Sequence, residues 1–201
     1  TKLWEGLGYY SRVRNLQKAA QVIVSQHGGV FPADYAAIRA LPGVGDYTAG
    51  AVASICFDRP TPAVDGNVLR VLARVTEDPS PVTKQSVKKS YERLLRPVYE
   101  ENPGSRGELT QALMELGACV CVPNGAPKCE ICPARMMCEA YKNGLTEILP
   151  VRAKKKARKI EERTVLLLFQ NGKAALRKRA DTGLCLLYTS PSPRDGLLSR
   201  M

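Results

Sequence analysis

From residue 11 to about residue 145, apolar positions recur at three- and four-residue steps, the spacing of helices that bury one face. In SRVRNLQKAAQVIVSQHGG (11–29), Val13, Leu16, Ala20, Ile23 and Val24 form one stripe, and Gly28 and Gly29 stop the helix. ADYAAIRAL (33–41) predicts a short helix. DYTAGAVASICF (46–57) is apolar nearly all round, which predicts a buried helix with Cys56 as plain core. After the Pro-rich connector RPTPAVDGN (59–67), NVLRVLARV (67–75) is amphipathic. A longer surface helix with basic outer positions is predicted over 83–101, and another over 107–121 that leads into a run of cysteines.

The period then changes. PVRAKKKARKIEERT (150–164) carries seven basic and two acidic residues without apolar periodicity, and it reads as a charged linker. TVLLLFQNGKAALRKR (164–179) reads as strand, Asn-Gly turn, strand. We therefore expect a mainly α domain over 1–145, a basic linker over 146–163 and the start of a β-containing domain over 164–183. The Ser-, Pro- and Arg-rich tail 184–201 loses all periodicity, and we expect it to be non-native sequence outside the fold. The opening TKLWEGLGYY has neither an initiator Met nor a signal-peptide core, and we read the sequence as a piece of a longer chain.

Composition adds a partner. Of 201 residues, 44% are apolar, enough for real cores, and 30 Lys and Arg against 19 Asp and Glu give a net charge of +11. That excess favours a polyanion, nucleic acid before an acidic membrane. No run of 18 apolar residues occurs to predict a membrane-spanning helix. The seven cysteines are an odd number, and five cluster tightly, which points to metal in a reducing compartment rather than a disulfide framework.

Residues 121–138, CVPNGAPKCEICPARMMC, give the spacing C-x7-C-x2-C-x5-C. Four soft thiolates suit Zn²⁺ or an iron–sulfur cluster. Structural zinc ribbons usually pair two C-x2-C knuckles; the single knuckle between two long steps tilts the choice toward a [4Fe–4S] cluster held by Cys121, Cys129, Cys132 and Cys138. Cys119 is set aside as a helix residue, and Cys185 belongs to the tail.

LPGVGDYTAG (41–50) places a Gly-rich turn directly before a helix. Such a turn leaves amide N–H groups free at the positive end of a helix dipole, which makes an anion site. A DNA phosphate is the anion expected there.

LWEGLGYYSRVRNL, LPGVGDYTAGAVAS, PAVDGNVLRVLAR and the four-Cys loop together resemble the helix-hairpin-helix DNA glycosylase superfamily, and within it the adenine glycosylases of the MutY type. The resemblance covers residues 1 to about 183. It implies a helix-hairpin-helix domain with an iron–sulfur loop, followed by the start of a Nudix-like α/β domain that in relatives recognises 8-oxoguanine. It implies that Leu41, Gly43, Val44 and Gly45 grip a phosphate and that Tyr9 enters the base stack. Lys128 matches a loop that relatives use on phosphate, and Asp65 matches the catalytic aspartate with Asn67 in support. Tyr47 stands where bifunctional relatives carry a Schiff-base lysine, so the implied reaction is hydrolysis. The implied partner is double-stranded DNA with an adenine mispair, met by a monomer in the cytoplasm, at the nucleoid.

By itself, an Asp before GNVLRVLAR reads as a helix cap. A carboxylate beside a sugar would also stabilise the oxocarbenium character of a breaking N-glycosidic bond. Both roles can hold together. The resemblance places the general acid in a glutamate upstream of LWEGLGYY, and Glu5 does not match it, so this stretch alone is expected to be inactive. His27 reads as a surface residue at a helix end, and Trp4 and Tyr10 as packing. Three other readings fit parts of the pattern: a bifunctional glycosylase/lyase, which Tyr47 and the start of a second domain after the cysteines oppose, a non-catalytic iron–sulfur module that docks on DNA, and a zinc-binding structural domain.

Overall fold

The computed structural model describes residues 2–4, 6–102, 104–153 and 169–174. The chain divides into two compact units, Thr1–Lys154 and Lys155–Met201. In the first, α1 (Ser11–Gln26), α2 (Tyr35–Ala40), α3 (Asp46–Phe57), α4 (Gly66–Val75), α5 (Gln85–Glu101), α6 (Arg106–Glu115) and α7 (Glu139–Lys142) follow one another. Among the described residues no helix is long and apolar enough to cross a membrane.

Local chemistry sets the helix ends. Asp34 caps α2 by accepting the Ala37 amide at 3.1 Å, and Ser105 caps α6 by accepting the Glu108 amide at 3.3 Å. The αL residue Asp58 closes α3, and its carboxylate takes the Arg106 amide at 2.7 Å and the Arg106 guanidinium at 3.1 Å. One side chain thus ends α3 and starts α6. α6 finishes in a π-helical turn, Leu116–Val120, which carries the chain into Cys121.

The main core gathers Val64, Val68 and Leu72 of the α4 region with Val87, Tyr91, Leu95 and Tyr99 of α5. A smaller one joins Ile38 of α2 to Ala49 and Ala53 of α3. A third joins Cys138, Ala140 and Leu149. Between α3, α5 and α6 runs a buried chain of hydroxyls. The hydroxyls of Tyr99 and Thr110 lie 2.9 Å apart, Thr110 donates to Ser54 at 2.8 Å, and Ser54 donates to the Gly50 carbonyl at 2.8 Å. Each buried polar group is therefore satisfied.

Two expectations change. α3 is not buried all round: Ala49, Gly50, Ala53 and Ser54 are inside, whereas Tyr47, Ile55 and Cys56 are exposed. Apolar composition reported the helix and not the number of its neighbours, and Cys56 is not core. In α1, Ala19 rather than Ala20 is buried, and Leu16 and Val24 face out. No other described element covers that part of the stripe.

In the second unit, β1 (Phe169–Gln170) pairs antiparallel with β2 (Lys173–Ala174), Phe169 opposite Ala174 and Gln170 opposite Lys173. Asn171 and Gly172 both have positive φ, 50° and 71°, the turn that Asn-Gly favours. The rest of 164–183, the linker from residue 154, and the tail with Cys185 lie outside the described residues.

Gly50 lets the connector 59–64 seat against α3. A Cβ there would sit 2.5 Å from the Pro62 carbonyl oxygen. Gly50→Ala is expected to destabilise the protein by about 2 kcal/mol despite the better helix propensity of alanine. Urea denaturation measures it, and an unchanged midpoint would show that the connector does not seat there.

Candidate active site and cysteine pocket

The hairpin joins α2 to α3. Leu41 is buried, Val44 is half-buried, and the Val44 amide returns to the Leu41 carbonyl at 3.1 Å. Gly43 has φ +79°, and a Cβ on it would lie 2.5 Å from the Cβ of Asn15 in α1. Glycine is required there twice over, by backbone and by space. Gly45 precedes α3, and no side chain caps that helix. The one carboxylate in its first turn, Asp46, is held by Arg39, which also donates to the Val44 carbonyl at 2.8 Å. Arg39 holds the Asp46 carboxyl below its usual range. The uncapped first-turn amides of α3 are therefore left for an external anion.

Asp65 caps α4. Its Oδ1 accepts the amides of Asn67 and Val68 at 2.9 and 2.8 Å, and its Oδ2 accepts the Asn67 side-chain amide at 3.1 Å. Asn67 in turn accepts from Arg70, whose Nη2 lies 2.9 Å from its Oδ1. Arg70 is 4% exposed and fans out further. Its Nη2 donates to the Gly117 carbonyl at 2.6 Å, and its Nε to the Cys121 carbonyl at 2.7 Å. Burial lowers its pKa from the ordinary arginine value. Gly117 lies in the π-helical turn, and a Cβ there would stand 2.6 Å from the Asn67 Cβ. An unbroken hydrogen-bonded path thus runs from the Asp65 carboxylate to the backbone of the first clustered cysteine.

Tyr47 lies in the first turn of α3, partly exposed, and its hydroxyl donates to the Met114 sulfur at 3.8 Å. Met114 and Gly117 are neighbours along α6 and its π turn, so Tyr47 and the Asp65–Asn67 pair rest against one continuous segment. Tyr9 sits apart from this group. It has φ 45° and is 76% exposed, its preceding loop is pinned by Trp4, which donates to the Gly8 carbonyl at 2.9 Å, and the Arg12 guanidinium lies 5.0 Å from its ring centre. A tyrosine in the left-handed region is strained, and such positions cluster at functional sites. His27 follows the last turn of α1 as its C-cap.

The four thiols converge. Cys121, Cys129, Cys132 and Cys138 line one recess with Val71, Arg74 and Lys128. Two 3-10 turns, Cys129–Ile131 and Arg135–Met137, fold the loop back on itself, and the Lys128 amide returns to the Val120 carbonyl at 3.0 Å. Burial, then the neighbouring thiols, push the Cys129 thiol up; burial is also the main cause for Cys138. Among the described residues, no three His, Cys, Asp or Glu side chains stand close enough to ligate a single metal ion. Four soft thiols around one recess are the donor types that suit zinc or an iron–sulfur cluster.

Two residues of weight escaped the sequence reading, Arg70 and Arg74. Both are 4% exposed. Their four-residue spacing within an apolar helix face, among Val71 and Val75, was the available signal.

Residues 1–97 match the model of the HhH-GPD superfamily, base excision DNA repair proteins. Residues 1–97 belong to the HhH-GPD superfamily. It is similar to adenine DNA glycosylase of Mus musculus, 45% identical over 155 residues, 75% of this chain and 30% of the relative. It is also similar to adenine DNA glycosylase of Buchnera aphidicola subsp. Baizongia pistaciae, 35% identical over 188 residues, 90% of this chain and 51% of the relative. The chain thus spans between about a third and a half of the length of these curated relatives. Among solved structures it is similar to a thermostable thymine-DNA glycosylase, with a TM-score of 0.54 at 30% identity over 66% of this chain and 59% of that one. The Gly-rich turn at residues 41–45 lies within the matched segment.

Arg70→Met should leave the carbonyls of Gly117 and Cys121 and the Asn67 amide oxygen without their donor. We expect a loss of about 3 kcal/mol in chemical denaturation. A loss below about 1 kcal/mol would show that α4 and the stretch 117–121 are held by apolar packing alone.

Proposed function

We propose that this chain is the core of a base-excision glycosylase that removes adenine mispaired with 8-oxoguanine or guanine by hydrolysis of the N-glycosidic bond. The observation that carries the reading is the Asp65 carboxylate. Two backbone amides and the Asn67 side chain fix both of its oxygens at the start of α4. A carboxylate so oriented is preorganised to stabilise positive charge that develops on a deoxyribose as the purine leaves. Identity to the adenine DNA glycosylases, up to 45%, supports adenine as the base.

The other residues take compatible parts. Leu41, Gly43, Val44 and Gly45 present the first-turn amides of α3 to a backbone phosphate. Tyr47 offers a phenol and no amine, so no imine forms and water completes the reaction. Tyr9, exposed and held over Arg12, is the wedge that fills the stack when the adenine is turned out. Lys128 adds a cation beside the cysteine loop, and the net charge of +11 supplies sequence-independent attraction.

The recess of Cys121, Cys129, Cys132 and Cys138 takes a [4Fe–4S] cluster. Its four-thiol lining, and a spacing with one C-x2-C knuckle between two long steps, support that choice over zinc. When bound, the cluster would supply structural cross-linking of the loop that carries Lys128.

Capping and catalysis at Asp65 separate by substitution in a protein that carries this chain. Asp65→Ser keeps a good cap and is expected to fold with stability near the parent, whereas Asp65→Ala is expected to lose about 1 kcal/mol. Both are expected to cut adenine release from an adenine:8-oxoguanine duplex by at least about a hundredfold. Single-turnover release by Asp65→Ser at the parental rate would sink the assignment.

The phosphate grip has its own test. Gly43→Ala is expected to weaken binding to undamaged duplex by about tenfold, because both φ and the Asn15 contact oppose the new methyl. Fluorescence anisotropy at fixed salt measures it, and unchanged affinity would remove the hairpin from the interface.

A further inference from the structure

Arg74 stands in the last turn of α4, 4% exposed. Its side chain bridges two separate stretches of chain. Nε donates to the Leu149 carbonyl at 2.8 Å, and Nη1 donates to the Val122 carbonyl at 3.1 Å and to the Cys121 sulfur at 3.2 Å. Its own carbonyl oxygen lies 3.5 Å from the Cys138 sulfur. Arg74 therefore touches the first and last of the four clustered cysteines and the segment that closes the third core, where Leu149 packs with Cys138 and Ala140.

A buried guanidinium costs several kcal/mol of desolvation unless it is compensated. Two carbonyls and a neutral thiol compensate it weakly. A thiolate-bound iron–sulfur cluster carries net negative charge, and Arg74 lines the recess meant for it. The two burials become mutually favourable once both groups are present: the cation neutralises the cluster, and the cluster neutralises the cation. Hydrogen bonds to ligating sulfur and nearby charge are also among the levers that set cluster potential. A donor to sulfur stabilises the more negative, reduced state and so raises the potential.

We propose that Arg74 is the buried counter-ion of the cluster, a positioning residue that both retains the iron and raises its reduction potential through the hydrogen bond to the Cys121 sulfur. The inference rests on the reading of the recess as a cluster site. It is separate from the Arg70 path, which reaches the Cys121 backbone and not its sulfur. Lysine could keep the charge but, as a flexible point charge, could not hold three acceptors in the fixed geometry of the fork.

The test compares the parent with Arg74→Lys and Arg74→Gln, each purified anaerobically with its iron. Iron and sulfide are quantified, iron release to a chelator is timed, and the potential is read by voltammetry on DNA-free protein. Circular dichroism checks the helix content. The expected order of potential is parent, then Lys, then Gln, the Gln variant being the most negative. Iron release is expected to be about tenfold faster in Gln than in the parent, with Lys between them. Equal potentials and equal release rates in folded variants would overturn the proposal while leaving the cluster in place. A folded parent that carries no iron would overturn the cluster reading and this inference with it. Should Arg74→Gln fail to fold, Arg74→Lys decides: faster release with parental helix content supports the role, and parental release refutes it.

Discussion

The buried guanidinium of Arg70 is the constraint on which the candidate site depends. Two stretches distant in sequence converge on it: the Asn67 side chain in its own helix, and the Gly117 and Cys121 carbonyls in and just after the π-helical turn. The π turn is itself part of the fit. It directs carbonyls sideways out of the helix, where a regular α-helix would keep them in its own ladder. Gly117 is the only residue type that lets Asn67 approach so closely. The orientation of the Asp65 carboxylate is therefore set by a fork whose far prongs reach the cysteine loop.

α4 carries this work at both ends. Its N-terminus presents Asp65, with the capping bonds that a helix start requires and a carboxylate where the dipole favours one. Its last turn places Arg74 against the Cys121 sulfur and the Leu149 carbonyl, where a cation complements the C-terminal end of the dipole. Between them, Val68 and Leu72 lock the helix into the main core with α5. One short helix thus fixes the relation between the Asp65 carboxylate and the four-cysteine recess.

The hairpin works by the opposite device, an absence of local partners. Asp46 could have turned back onto the first amides of α3, as many residues in that turn do, but Arg39 holds it. The tight turn at Gly43 against Asn15 of α1 ties the same hairpin to the helix that starts at the Tyr9 loop. The Gly-rich hairpin and the Tyr9 loop are thereby linked through α1.

The helices, the Asn-Gly turn, the Gly-rich hairpin and the four clustered cysteines were legible because each depends on near neighbours: periodicity, turn chemistry and ligand spacing act over a few residues. Asp65 was legible as a cap for the same reason; the catalytic role proposed for it came only through resemblance. Other features were decided across the fold. Cys56 and Tyr47 look equally apolar in the chain, yet both are exposed, because burial depends on which helices pack beside α3. Arg70 and Arg74 look like surface cations on an amphipathic helix, yet both are inside, because their acceptors arrive from residues 117–122 and 149, distant in sequence. Composition and local pattern determine which elements form. Only the tertiary structure could bring a carboxylate, two buried guanidinium groups and four thiols into a single connected site, since long-range hydrogen bonds leave no period in the sequence.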